Sequence, residues 1–469
     1  MVESASNPEL TPVASSSTSG GAAVFRRHLN GPLWPEAVSG DGVYVVDRAG
    51  RRYLDGSSGT GISCLGHSNA YVKDAMHRQI DRIAFAHTTF FTNEPMEKLA
   101  DNLTANLPGS SVWFTTSGAE GVDASLKLTL QYFSEIGQAE RRWIIGRRGG
   151  YLGSSIGALA AGGHAGRRKL FEPLFSPNIV HIAPCFPFRL RSPTETDEAY
   201  GIRAANELEQ AIEVVGGAHV GAFIAETVVG STAGAVAAPA GYFRRIREIC
   251  DRHGILLIVD EVMCGMGRTG TRYAFEQEGM VPDMVILGKG LAAGYAPLGA
   301  VVVSKRVREV VRAGSGSFQH GHSAHGHMLA CATALAVQEE IERRGLLGEV
   351  ERKGRRLRSL LEERFKDHPH VGDIRGRGLF LALELVKDRS TLQPFAPEVL
   401  LHAKIKSNAL AAGLMCYPGS GTIDGVHGYH VMVMPPFIVE ECHLDELIEK
   451  LSRALDLSFR DACDSGSLR

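Results

Sequence analysis

The sequence predicts an α/β protein with a mostly parallel central sheet in a large domain, joined to a smaller α+β domain formed by both termini. Three observations predict it. Between about 111 and 303, seven short apolar runs alternate with helical patterns, which is the grammar of βα units in a helix-covered parallel sheet. After about 340 that alternation fades into a long polar helix and a few short strands. The chain has 469 residues and is 44% hydrophobic, which is ample for a large buried core and too long for one simple domain.

Taken in order, residues 1–22 are rich in Ser, Thr, Ala and Gly without apolar periodicity, and are expected to be a disordered tail. Residues 23–90 form the N-terminal part of the small domain. Within it, 40–56 reads "GDGVYVVDRAGRRYLDG", two alternating segments around a turn, hence a β-hairpin. The large domain spans 91–340. It opens with an amphipathic helix at 93–107, and its strands are expected at 111–116, 143–145, 179–182, 222–225, 256–259, 284–287 and 298–303. The C-terminal part of the small domain spans 341–469: a helix at 348–365, a turn and strand in "VGDIRGRGLFLALELV", and a final helix at 440–457.

Composition narrows the function classes. Fifty basic against 52 acidic residues leave a formal charge of −2, so no net field points to nucleic acid or an anionic membrane. The eight cysteines show no paired spacing, which suits a reduced, cytoplasmic protein. No secretory signal is visible, and no apolar stretch reaches the ~18 residues of a membrane span.

Five motifs carry chemistry. In "LLIVDEVMCGMGRTG" (256–270) a strand ends at Asp260 and opens into glycines. Open α/β sheets bind ligands at the carboxyl ends of their strands, and an acid there can hold a buried cation such as a protonated ring nitrogen. Read alone, Asp260 fits a turn cap equally well. In "DMVILGKGLAAGYAPLGAVVVS" (283–304) Lys289 stands at a strand end among glycines. Desolvation there would favour its neutral form, as a Schiff-base lysine needs, although most lysines on such loops are solvated. A phosphate-binding P-loop is excluded, because Gly290 rather than Ser or Thr follows Lys289.

In "SVWFTTSGAEGVDASLKLTLQY" (111–132) a strand runs into Ser117, Gly118 and Ala119 at a helix start, where backbone N–H groups bind anions; an ordinary Ser cap fits too. In "RRGGYLGSSIGALAAGG" (147–163) Tyr151 follows a strand, placed to stack on a planar group or simply to fill the core. In "FQHGHSAHGHMLACATALA" (318–336) four histidines, 320, 322, 325 and 327, raise a metal site, but no carboxylate or cysteine cluster completes a ligand set, so no metal is expected. Ser323 is instead a hydroxyl available to a phosphate.

The order of these motifs resembles the class III (omega) aminotransferases, pyridoxal-phosphate enzymes of fold type I. The resemblance runs from about Gly40 to Ile438, and the 29-residue spacing of Asp260 and Lys289 is that family's spacing. It implies that pyridoxal 5′-phosphate is the cofactor and that Lys289 carries it and shuttles protons. Asp260 would pair with the pyridine nitrogen, Val262 and Tyr151 would cover the two ring faces, and Gly118 and Ala119 after Ser117 would hold the phosphate. Glu226 matches the family's Glu-Pro segment near the cofactor, with Thr227 in place of proline. Ser323 stands where the family has Thr, reaching the phosphate of the neighbouring subunit, so a homodimer or dimer-based oligomer is implied.

The sequence also departs from the family. Leu152 replaces a His, and Ser323–Ala324 replaces a Thr–Tyr pair. Ser154 stands where members acting on 4-aminobutyrate or ornithine derivatives carry Arg, which disfavours those substrates. His427 stands where one subgroup has a carboxylate-binding Arg, and imidazole grips a carboxylate less firmly than a bidentate guanidinium. Arg189 and Arg268 are the other candidates for that role, and Trp34, Phe90 and Phe91 are candidates to line the substrate pocket. The expected reaction moves an amino group from a primary amine or amino acid to an oxo acid such as pyruvate by a ping-pong mechanism. The same parts would serve an amino-acid epimerase or a decarboxylating transaminase. A non-catalytic binding protein and a metal hydrolase built on the histidines are the rivals outside that class.

Overall fold

A computed structural model describes residues 24–27, 29 and 34–464. The expected tail at 1–22 lies outside the described residues. The principal element is a seven-stranded sheet in the order Ser111–Thr115, Gly299–Val303, Met284–Leu287, Leu256–Asp260, Val220–Glu226, Trp143–Arg147 and Ile179–Ile182. Six strands point the same way. Gly299–Val303 runs antiparallel to both of its neighbours.

The apolar runs form strands because both faces of this sheet are covered. Along Val220–Glu226 and Leu256–Asp260, Phe223, Ala225, Leu257 and Val259 enter one core cluster. The alternate residues Ala222, Ile224, Leu256 and Ile258 enter another on the opposite face. Each buried Val, Leu, Ile or Phe contributes roughly 1.5–3 kcal/mol. Continuous apolar strands of this kind are stable only between two helical layers. The helix Gly118–Glu135 covers one face, and Asp197–Val215 with Tyr242–His253 covers the other.

A further core cluster joins both ends of the described chain, running from Val43 and Leu54 to Leu444 and Phe459. Its sheets explain the link. Ala37–Asp41, Tyr44–Asp47 and Arg52–Asp55 form an antiparallel meander, and Leu414–Met415 pairs in parallel with the last of these. The segment read as a turn and strand is a full hairpin, Val371–Arg377 against Phe380–Leu385, within a second four-stranded sheet. Its turn uses Gly378 at φ +55°. Buried Arg268 ties this region to the large sheet, donating to the carbonyls of Leu379 (3.1 Å) and Pro435 (2.6 Å) and to Ser58 Oγ (3.2 Å). Among the described residues, no helix is long and apolar enough to cross a membrane.

Candidate active site

Three strands deliver the charged groups of one site. Glu226 and Asp260 are the last residues of adjacent parallel strands and face each other in register. Lys289 follows the next strand, Met284–Leu287, after one glycine. This is the crevice beyond the carboxyl ends of a parallel sheet, where the fold leaves backbone and side chains free to meet a ligand.

These residues open on a cavity of about 550 Å³, lined also by Thr116, Ser117, Gly118, Ala119, Tyr151 and Val262. Lys289 holds a left-handed backbone, φ +43°, between two glycines. That conformation costs a residue with a Cβ roughly 1–2 kcal/mol, which the surrounding turn must offset. Burial lowers its ammonium pKa from the ordinary lysine value, against the pull of the Asp260 and Glu226 carboxylates.

Asp260 is buried, and burial together with the nearby Glu226 charge pushes its carboxyl well above the usual range. One carboxylate oxygen accepts the Val262 N–H at 2.9 Å. The other has no hydrogen-bond partner among the described residues. Burial also raises Glu226, whose carboxylate accepts the N–H groups of Tyr151 (2.8 Å) and Gly230 (2.9 Å). Two buried acids face the cavity beside one amine of weakened basicity, and one Asp260 oxygen is left without a partner among the described residues. A bound cation would satisfy it.

The anion end lies at the start of the helix Gly118–Glu135. Ser117 caps it, accepting the Glu120 N–H at 3.3 Å, and Glu120 answers with a bond from Thr116 N–H at 2.7 Å. The N–H groups of Gly118 and Ala119 have no partner among the described residues and lie on the cavity wall. Free N–H donors at the start of an 18-residue helix suit a phosphate. Gly118 allows the close approach: a Cβ there would stand 2.5 Å from Val262 Cγ2.

The family model for class III aminotransferases matches residues 30–455. The chain belongs to the class III aminotransferases. It is similar to an uncharacterized aminotransferase of Schizosaccharomyces pombe, at 40% identity over 90% of this chain and 92% of that one. Among solved structures it resembles an (S)-enantioselective omega-transaminase from Thermomicrobium roseum, with a TM-score of 0.86 and 34% identity over 92% and 96% of the two chains. It also resembles an omega transaminase of Pseudomonas jessenii in complex with PMP, with a TM-score of 0.84 and 31% identity over 91% and 93%. The fold is therefore that of the pyridoxal-phosphate transaminases, fold type I, and the cofactor of this aminotransferase is pyridoxal 5′-phosphate. The residues present fit that group: an acid with a free oxygen, an amine with lowered pKa and uncapped N–H donors share one cavity.

Not every residue singled out in the sequence lies there. Arg189 donates to fully buried Glu384 at 2.7 Å and to Leu392 O at 2.6 Å, so its guanidinium is committed away from the cavity. Arg268 is held by the three groups described above. His427 is exposed and pairs with Asp424 at 2.7 Å. Trp34 lies under the Lys406 ammonium, 4.1 Å from the ring centroid. Phe90 and Phe91 are exposed and outside the cavity lining. Ser323 is exposed and outside that lining too. His322 and His325 both approach the Phe114 carbonyl, at 3.2 and 2.9 Å, and the four histidines form no ligand cluster among the described residues.

Sequence reasoning passed over two arginines. Arg147, fully buried, donates to the Glu226 carbonyl at 2.7 Å. Arg167 lies over the Tyr151 ring, 4.5 Å from its centroid. The only signal for Arg147 was a basic residue directly after an apolar strand. Arg167 stood in "GHAGRRK", which reads as a solvated basic run.

Proposed function

We propose that this aminotransferase takes an amino group from a primary amine or amino acid and delivers it to an oxo acid such as pyruvate, in the two half-reactions of a ping-pong sequence. The observation that carries this is the meeting of Lys289, Asp260 and the Ser117–Ala119 helix start in one cavity. Bound there, pyridoxal 5′-phosphate supplies an aldehyde that condenses with amines and a ring that accepts electrons from the adjoining carbon.

The chain's own residues do the rest. The N–H groups of Gly118 and Ala119, with the Ser117 cap, would hold the phosphate. Asp260 would face the ring nitrogen with its unpartnered oxygen and keep that nitrogen protonated. Val262 and Tyr151 would lie on the two ring faces, and Glu226 would fix Tyr151 through its backbone N–H. Lys289 would hold the cofactor covalently at rest. Once free, its Nζ would take the proton from the amine-bearing carbon and deliver it to the cofactor's former aldehyde carbon, so that the amino group stays behind when the oxo product leaves. The lowered pKa of Lys289 keeps a larger share in the neutral form that such a base requires. Ile62, Leu152, Met263 and Leu298 line the cavity with apolar surface that limits water. The enzyme is read as a cytoplasmic homodimer in which Ser323, exposed and outside its own cavity lining, reaches the neighbouring site.

A donor screen followed by cofactor absorbance tests this. Amines should bleach the resting band, and pyruvate should restore it with release of the aminated product. A band indifferent to every amine, or carbon dioxide release or racemisation without an acceptor, would overturn the reading.

A further inference from the structure

An oxo acid brings a carboxylate to a cavity that already holds two acidic side chains, so a cation must meet it. The arginines near the cavity are mostly spent. Arg147 is buried on the Glu226 carbonyl. Arg168 donates to the carbonyls of Leu159, Ala160 and Gly162. Arg375 is bound to Asp373, Glu384 and the Gly234 carbonyl.

Arg167 differs. Its side chain makes no hydrogen bond and no ion pair among the described residues, and its guanidinium lies over the Tyr151 ring. It is half-buried and lies just outside the cavity lining, separated from it by Tyr151, which does line the cavity. The short helix Ala165–Arg168 that carries it lies under the 421–428 loop, where a Cβ on Gly425 would stand 2.8 Å from Gly166 N. Stacking on an aromatic face holds a guanidinium in place while leaving its in-plane N–H donors free, the arrangement that grips a carboxylate bidentately.

We propose that Arg167 binds the carboxylate of the oxo-acid acceptor, and of amino-acid donors, at the mouth of the cavity beside Tyr151. This rests on the amino-transfer reading above. It assigns the role to a residue outside both positions, 154 and 427, where the sequence departs from its family. The Arg167 charge also disfavours the ammonium form of Lys289, which places the two groups within electrostatic reach of each other.

The test compares wild-type holoenzyme with Arg167→Gln and Arg167→Lys, using pyruvate and butanal as acceptors. In Arg167→Gln the KM for pyruvate should rise about 10- to 100-fold relative to that for butanal, as loss of a charge-assisted carboxylate contact requires. Lysine, a point charge without the fork, should restore part of the preference. A pyruvate-to-butanal ratio unchanged in Arg167→Gln would overturn the proposal. Calorimetric titration of both proteins with propionate, an unreactive carboxylate, separates this from the function itself. If wild-type enzyme transfers to no acceptor, the amino-transfer reading falls. Propionate binding at least tenfold weaker in Arg167→Gln would then still support the carboxylate site, and equal binding would refute it.

Discussion

Replacing Asp260 by asparagine keeps the shape of the side chain and the Val262 N–H bond to it at 2.9 Å, but removes a charge from a residue only 4% exposed. On the proposed assignment, the lost interaction is that between a carboxylate and a protonated ring nitrogen. Two unit charges about 4 Å apart interact by about 4 kcal/mol at an effective dielectric of about 20. At about 1.4 kcal/mol per decade, the proton-transfer step should slow by roughly three orders of magnitude. The assay is a single-turnover amine half-reaction by stopped-flow absorbance on the reconstituted variant, with cofactor content checked beforehand. A rate within threefold of wild type would refute the electron-sink role of Asp260. A companion measurement separates catalysis from stability. The folded carboxyl titrates above its unfolded value, because burial and Glu226 oppose its charge. Its stabilising contribution is thus complete below the unfolded pKa of about 3.9 and is lost as pH rises. Without cofactor, Asp260→Asn should therefore melt higher than wild type at pH 8, with the gap closing toward pH 4. A lower melting point at pH 8 would contradict that sign.

Three further outcomes follow from the same geometry. Gly118→Ala places a Cβ 2.5 Å from Val262 Cγ2, so overpacking of about 1–3 kcal/mol should weaken cofactor retention roughly tenfold or more. Absorbance during dialysis measures this, and Val262→Ala in the same chain should recover part of the loss. Arg268→Ala leaves the Leu379 and Pro435 carbonyls buried without a donor and should cost about 2–4 kcal/mol, read as a melting temperature several degrees lower; an unchanged melt would contradict the tie described here. Burial holds His430 at a pKa of about 3 and His181 at about 4, so both stay neutral when folded and take up protons on unfolding below about 6.5. Their contribution is present above that value and is lost as pH falls. The acid side of the melting-temperature profile should flatten in His430→Leu, and an unaltered slope would show that His430 does not contribute.

The large sheet was legible in the sequence because its strands are buried on both faces and so are written as unbroken apolar runs. Strand direction was not legible. Nothing in "LGAVVV" distinguishes the antiparallel Gly299–Val303 from its parallel neighbours. The hairpin at 371–385 was half-read for a related reason: Phe380–Leu385 is fully buried and apolar, while Val371–Arg377 is mostly half-buried and polar. The residues that now line the cavity were found together because they follow strand ends within short local motifs. Side chains whose partners lie far away in sequence were not placed by such motifs. Arg189 meets Glu384, 195 residues distant, and Trp34 meets Lys406. Arg167 was hidden for the opposite reason. A basic run in a glycine-rich loop looks solvated until the fold lays one guanidinium on Tyr151.

The proposed chemistry depends most directly on which lysine holds the cofactor. Borohydride reduction of the holoprotein, followed by proteolysis and mass spectrometry, fixes the cofactor to whatever amine carries it. The added mass is expected on the peptide containing Lys289, and on none in Lys289→Ala. Stoichiometric labelling of any other lysine in the wild-type chain would contradict it.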